Sequence, residues 1–217
     1  MVQINGIVNE YIHVEKPDQE AVPSRQFDIS KIDFDLLSRE FAHTRRKNLL
    51  LRDLDELVNQ QLAKMLFANP QRIDYYDRYQ EIIDAYNAEQ NRATIEKTFM
   101  DLMELASSLD TEQQRYVREG FFSDEELSVY DLLFSENLTK QEIETIKKVS
   151  VDLLTKIKQQ IAKLDHWTDK QETKAIVDNL IRNTLWQELP NSYDVSDIQT
   201  YQKKIYEYVY MRYPEVA

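Results

Sequence analysis

Cysteine is absent from the 217 residues, and glycine occurs only twice, at Gly6 and Gly120. Without cysteine there is no disulfide, no thiolate zinc site and no cysteine nucleophile. An average chain of this length carries about 15 glycines. Phosphate loops and dinucleotide fingerprints need them clustered, so that backbone N–H groups can close on a phosphate without a Cβ in the way. Two isolated glycines cannot build such a cradle, so if the chain belongs to an ATP- or NAD-using enzyme that chemistry is expected outside this stretch. No run of about 18 apolar residues is available to cross a bilayer. The opening Met1-Val2-Gln3-Ile4-Asn5-Gly6 lacks the basic-then-apolar layout of a secretion signal. A cytoplasmic location is expected.

What is abundant is acid. Asp and Glu number 39 against 27 Lys and Arg, for a net charge of −12. Such a surface repels nucleic acid on average, so DNA contact would require a local basic stripe. Hydrophobic residues make up 42% and aromatics 11% of the chain, enough to bury a core in one large domain or two small ones.

Residues 1–26 show no helical stripe. Val2, Ile4, Ile7, Val14, Pro17 and Pro23 suggest an extended arm, either native or a linker from a preceding domain. Residues 27–217 read as a helical domain. Asp33 precedes Phe34, Leu37 and Phe41 as the start of a short helix. Leu50, Leu54, Leu57, Val58, Leu62, Met65 and Leu66 line a long one, ended by Asn69-Pro70. Further stripes run through Tyr75, Tyr79, Ile82, Ile83 and Tyr86, and through Ile95, Phe99, Leu102, Met103 and Ala106. Four hydroxyls with an acid or amide three residues later predict capping boxes: Thr111 with Gln114, Ser123 with Glu126, Thr139 with Glu142, and Thr168 with Gln171. Gly120 is expected as the left-handed cap of a short helix opened by Thr111. Stripes after Thr139, one ending before Pro190 and one before Pro214 complete eight or nine helices with short connections. The fold class is all-α and bundle-like.

Chemistry is harder to find. His13, His43 and His166 lie on separate segments without metal-ligand spacing, and a surface or capping role suffices for them. The acids Asp124-Glu125-Glu126 open a helix, where they complement its dipole. Glu172-Thr173-Lys174 has the acid-x-Lys form of a restriction-type nuclease motif, but that chemistry needs a strand and this triplet opens a helix. Arg45-Arg46-Lys47 with Arg52 begins the long helix, where cations do not favour the dipole. Six lysines lie over 140–163. A solvated helix face is the plainer reading of both basic features; as candidate DNA contacts the residues are Lys147, Lys148, Lys156 and Lys158. In Tyr75-Tyr76-Asp77-Arg78-Tyr79, helical spacing sends Tyr75 and Tyr79 inward and leaves Tyr76 as a candidate partner contact. Thirteen tyrosines are many for a helical core and suit docking surfaces.

Several segments in order carry a resemblance. They are Phe27-Asp28-Ile29-Ser30-Lys31-Ile32-Asp33-Phe34, Asn69-Pro70, Tyr76-Asp77-Arg78-Tyr79-Gln80-Glu81-Ile82-Ile83 and Arg118-Glu119-Gly120. Leu127 through Leu133, Asp165-His166-Trp167 and Leu185-Trp186-Gln187-Glu188-Leu189-Pro190 follow. The chain resembles the C-terminal helical region of the restriction (R) subunit of type I restriction–modification enzymes, over 27–213. The resemblance implies a parent subunit that is a type I site-specific deoxyribonuclease, an ATP-dependent DNA translocase and endonuclease using ATP and Mg²⁺. It implies the modification (methyltransferase) and specificity subunits as partners. None of the parent's nuclease or motor motifs is present, so no catalytic, cofactor or metal residue carries over. The expected function is therefore an assembly domain docking the motor onto the methyltransferase core. The alternatives are a DNA-contacting clamp behind the motor and a free-standing helical interaction domain.

Overall fold

The computed structural model describes residues 32–89 and 91–214. The expected arm over 1–26 and His13 lie outside the described residues. Among them are nine α-helices and no strand, an all-α fold. They are α1 (Phe34–His43), α2 (Lys47–Ala68), α3 (Ile73–Ala88), α4 (Arg92–Gln113), α5 (Arg115–Arg118), α6 (Asp124–Leu133), α7 (Lys140–Ile161), α8 (Gln171–Glu188) and α9 (Val195–Arg212). A 3-10 turn, Pro70–Arg72, separates α2 from α3. They form two compact units, one holding the described residues up to Phe67 with Ile73–Glu112, the other Ala68–Arg72 with Gln113 onward.

The first unit is built from α1, α2, α3 and α4. Asp33 caps α1 by accepting from the Leu36 N–H at 2.9 Å. Leu54, Val58, Leu62 and Met65 recur at three- and four-residue spacing, so α2 buries one stripe. That stripe shares a core with Phe99, Leu102, Leu105, Ala106 and Leu109 of α4. Phe41 stacks on Phe99 with centroids 3.6 Å apart. Tyr79 is buried, and its hydroxyl donates to Asp55 at 2.8 Å.

In the second unit α6 packs on α7, α7 on α8, α8 on α9 and α9 back on α6, a closed four-helix bundle. Leu127, Leu133, Ile146, Leu153, Ile157, Val177, Ile181, Leu185 and Ile205 fill its centre. Trp167, in the α7–α8 connection, is 1% exposed. Its indole N–H donates to the Tyr213 carbonyl at 2.6 Å, and its ring meets Tyr206 and Tyr210 edge-on. Ala68–Arg72 is held in this unit by polar contacts. The Arg72 side chain, 4% exposed, donates two hydrogen bonds to Asp124 at 2.7 and 3.0 Å. The Asn69 amide donates to Asp131 at 2.7 Å, and Asp131 also takes a two-pronged pair from Arg115.

The helix ends follow capping chemistry, though not always where the sequence pointed. Thr139 and Glu142 form the full reciprocal box that opens α7. Ser123 accepts from the Glu126 N–H at 3.3 Å, but the Glu126 carboxylate reaches the Phe122 N–H instead of completing a box. Thr111 does not open a helix. It sits in the last turn of α4, its hydroxyl donating to the Ser107 carbonyl, because α4 continues to Gln113. Thr168 donates to the Pro214 carbonyl, and α8 starts after Lys170 without a side-chain cap. A second full box, Asp194 with Asp197, opens α9. Gly120 does cap α5. With φ at +84°, its N–H bonds the Val117 carbonyl while the Phe121 N–H bonds that of Tyr116, the paired bonds of a Schellman motif.

Arg72→Ala is expected to lower stability by about 3 kcal/mol, because it leaves the partly buried Asp124 carboxylate without its guanidinium; the midpoint of urea unfolding measures it. Two buried tyrosines give a matched test. Tyr193 donates to the Leu133 carbonyl at 2.7 Å, whereas the buried Tyr208 hydroxyl has no partner within hydrogen-bond geometry among the described residues. Tyr193→Phe should therefore cost about 1–2 kcal/mol, while Tyr208→Phe should be neutral or stabilising.

Candidate functional site

The four candidate lysines lie on α7 and do not make one surface. Each residue turns a helix by about 100°, so Lys158 is roughly 20° from Lys147 while Lys156 is about 180° away. Three of them are already engaged. Lys147 reaches the Glu119 carboxylate at 3.1 Å and its carbonyl at 3.0 Å. Lys156 lies between Asp152 at 2.5 Å and Glu188 at 2.6 Å, and these hydrogen bonds hold its ammonium above the usual lysine range. Lys158 pairs with Glu125 and lies 5.4 Å over the Tyr213 ring. Lys148 is exposed, with no ion pair to another described residue. Tyr76 is half-buried against the core of the first unit, its ring 6.3 Å from that of Tyr79.

The acids at the start of α6 are likewise engaged, Asp124 with Arg72, Glu125 with Lys158 and Arg212, and Glu126 with the Phe122 N–H. Thr173, in the first turns of α8, donates within reach of the Trp167 and Lys170 carbonyls, and Lys174 lies 5.7 Å over the Tyr210 ring. His43 makes a ring-nitrogen contact to the Arg39 carbonyl at the end of α1, and His166 is exposed beside Asp165. Among the described residues no three His, Asp or Glu side chains converge as a metal site. No helix among the described residues is long and apolar enough to cross a membrane.

Two features went unread in the sequence. One is a set of large apolar side chains facing solvent in the second unit. Phe122 is 92% exposed and Trp186 58%, with Val117, Phe134 and Val195 also exposed. Phe122 follows the buried Phe121 in a turn rather than a helix, so no periodicity flagged it. The other is a basic concavity of about 620 Å³ in the first unit, lined by Arg45, Arg46 and Lys47 and, from the start of α4, by Arg92. The sequence pointed to the first three but could not place Arg92 beside them.

Glu96 sits among these cations. Its carboxylate bonds Lys47 at 2.6 Å and Arg92 at 3.3 Å, which holds its pKa below the usual glutamate value. The Thr139 hydroxyl lowers that of Glu142, and Ser196 with the Asp197 N–H lowers that of Asp194. Asp131 moves the other way, because burial outweighs the Arg115 guanidinium. An acid lowered by folding contributes stability above its unfolded pKa and loses it as pH falls through the folded one. Stability should therefore decline below about pH 4, offset in part by Asp131, whose protonated form the fold favours. In Glu142→Gln the acid-side decline should be shallower, as read from urea midpoints across that range.

A family model described as type I restriction enzyme HindI endonuclease subunit-like, C-terminal, matches residues 17–213. No curated protein and no solved structure is matched.

Proposed function

Since the chain belongs to the type I restriction enzyme HindI endonuclease subunit-like C-terminal family, we propose that it is an assembly domain of a restriction subunit. It docks the ATP-dependent translocase and endonuclease onto the modification and specificity subunits. It performs no catalysis itself. ATP and Mg²⁺ serve other parts of the parent.

The observation that carries this reading is the exposure of Phe122 and Trp186 on an otherwise charged helical unit. A Phe ring left in water forgoes about 2 kcal/mol of burial, and large aromatics are the residues on which interfaces concentrate their energy. The ionisable groups point the same way. Glu119, Glu125, Lys147, Lys156 and Lys158 are paired inside the unit, which fits scaffold better than reaction centre. The excess of tyrosine supports docking less than its count suggests, because Tyr79, Tyr130, Tyr193 and Tyr208 are buried.

The alternative of a DNA clamp on α7 is weaker. Lys147, Lys156 and Lys158 would each have to leave a carboxylate to meet a phosphate, and Lys156 faces away from the other two. The assembly reading is tested by titrating the cognate modification subunit with the full chain. Binding at micromolar concentration or tighter is expected, with Phe122→Ala and Trp186→Ala each weakening it about tenfold or more. Absence of binding by the unaltered chain would sink the reading.

A further inference from the structure

The basic concavity of the first unit runs against the charge of the chain. Four cations, Arg45, Arg46, Lys47 and Arg92, line it in a protein of net charge −12, and one carboxylate, Glu96, meets two of them. Glu96 is taken up by Lys47 and Arg92. Arg45 and Arg46 are exposed, and neither side chain has a carboxylate partner among the described residues. Arg52 extends the patch, because it follows Asn48 and Leu49 of the concavity by one helical turn on the same face of α2. Folding gains the pairs of Lys47 and Arg92 with Glu96 and the Lys47 contact over the Phe41 ring, but no ion pair among the described residues for Arg45 or Arg46. The first turn of α2 holds no acid, and cations there oppose the helix dipole. Exposed cations set against the helix dipole and left without a carboxylate among the described residues are open to an anion from outside.

We propose that this concavity seats the phosphate backbone of DNA, with Arg45 and Arg46 as the contacting forks and Arg92 and Arg52 continuing the track. A guanidinium matches a phosphate through two parallel N–H donors, which a lysine cannot do. The spread of cations over the start of α4, the α1–α2 turn and the second turn of α2 suits a linear polyanion better than a single small phosphate. DNA is favoured over an acidic protein because the chain belongs to an endonuclease-subunit family. The proposal rests on that membership and not on the docking reading, and it uses none of the α7 lysines.

The test is fluorescence anisotropy of a short labelled DNA duplex titrated with the complete chain, from about 50 to about 200 mM salt. Each lost phosphate contact flattens the slope of log K against log salt by about one. R45Q/R46Q should thus flatten it by about two and weaken low-salt binding about tenfold or more, while K148Q on α7 leaves both unchanged. Both arginines are exposed, so the urea midpoint should not move; were the double variant to misfold, R45Q and R46Q singly each remove about one unit of slope. Polyglutamate in place of DNA should not bind. No DNA binding at low salt, a wild-type slope in R45Q/R46Q, or equal affinity for polyglutamate would each overturn the proposal. A failed titration with the modification subunit has no bearing on these slopes, so the two readings fail separately.

Discussion

The two-pronged pair between Arg72 and Asp124 is the constraint on which the second unit leans most. Arg72 brings a guanidinium almost wholly out of water, which is costly unless every donor finds an acceptor. Asp124 supplies two acceptors from the first turn of α6, where its charge also complements the helix dipole. Around it Ser128 lies within hydrogen-bond reach of the Ala68 carbonyl, and Asn69 bonds Asp131, which Arg115 also grips. Ala68–Arg72 thus joins the bundle through polar contacts, while α6, α7, α8 and α9 join one another through apolar ones. The pair fixes which acid of Asp124-Glu125-Glu126 faces inward and leaves Glu125 to meet Lys158 and Arg212.

That division of labour explains what the charged residues do. An acidic chain with many carboxylates can pair its cations internally, and on α7 it does so with acids from α6, α8 and the α5–α6 connection. Cations left over therefore stand out. Among the described residues Arg45 and Arg46 are of this kind, and so, singly, is Lys148. Exposed aromatics stand out by the same reasoning, since Phe121 and Phe122 are neighbours in sequence and only one is buried.

Most of the helices were legible in the sequence because apolar residues at three- and four-residue spacing have one stable solution in water. The stripe Leu54, Val58, Leu62, Met65 and the box Thr139–Glu142 are both local patterns, and both are in place. Thr111 and Thr168 show where locality fails. Each has the residue types of a cap, yet α4 runs past Thr111, and Thr168 turns to the Pro214 carbonyl 46 residues away. The α7 lysines are candidate DNA contacts on their number alone, with a solvated helix face as the plainer reading. Helical rotation and acids on neighbouring helices, neither visible in a count, divide them.

By itself the sequence determined the all-α class, the helix stripes, the cap at Gly120, the lack of a glycine phosphate cradle and the family resemblance. Each depends on residue types at short spacing, where backbone geometry converts order along the chain directly into position. Only the tertiary structure decided which hydroxyl of a tyrosine has a partner, which lysine has a carboxylate, and that Arg92 stands beside Arg45 and Arg46. Those outcomes join residues tens of positions apart, and a charge or a ring takes its meaning from the neighbour that folding brings within a few ångströms of it.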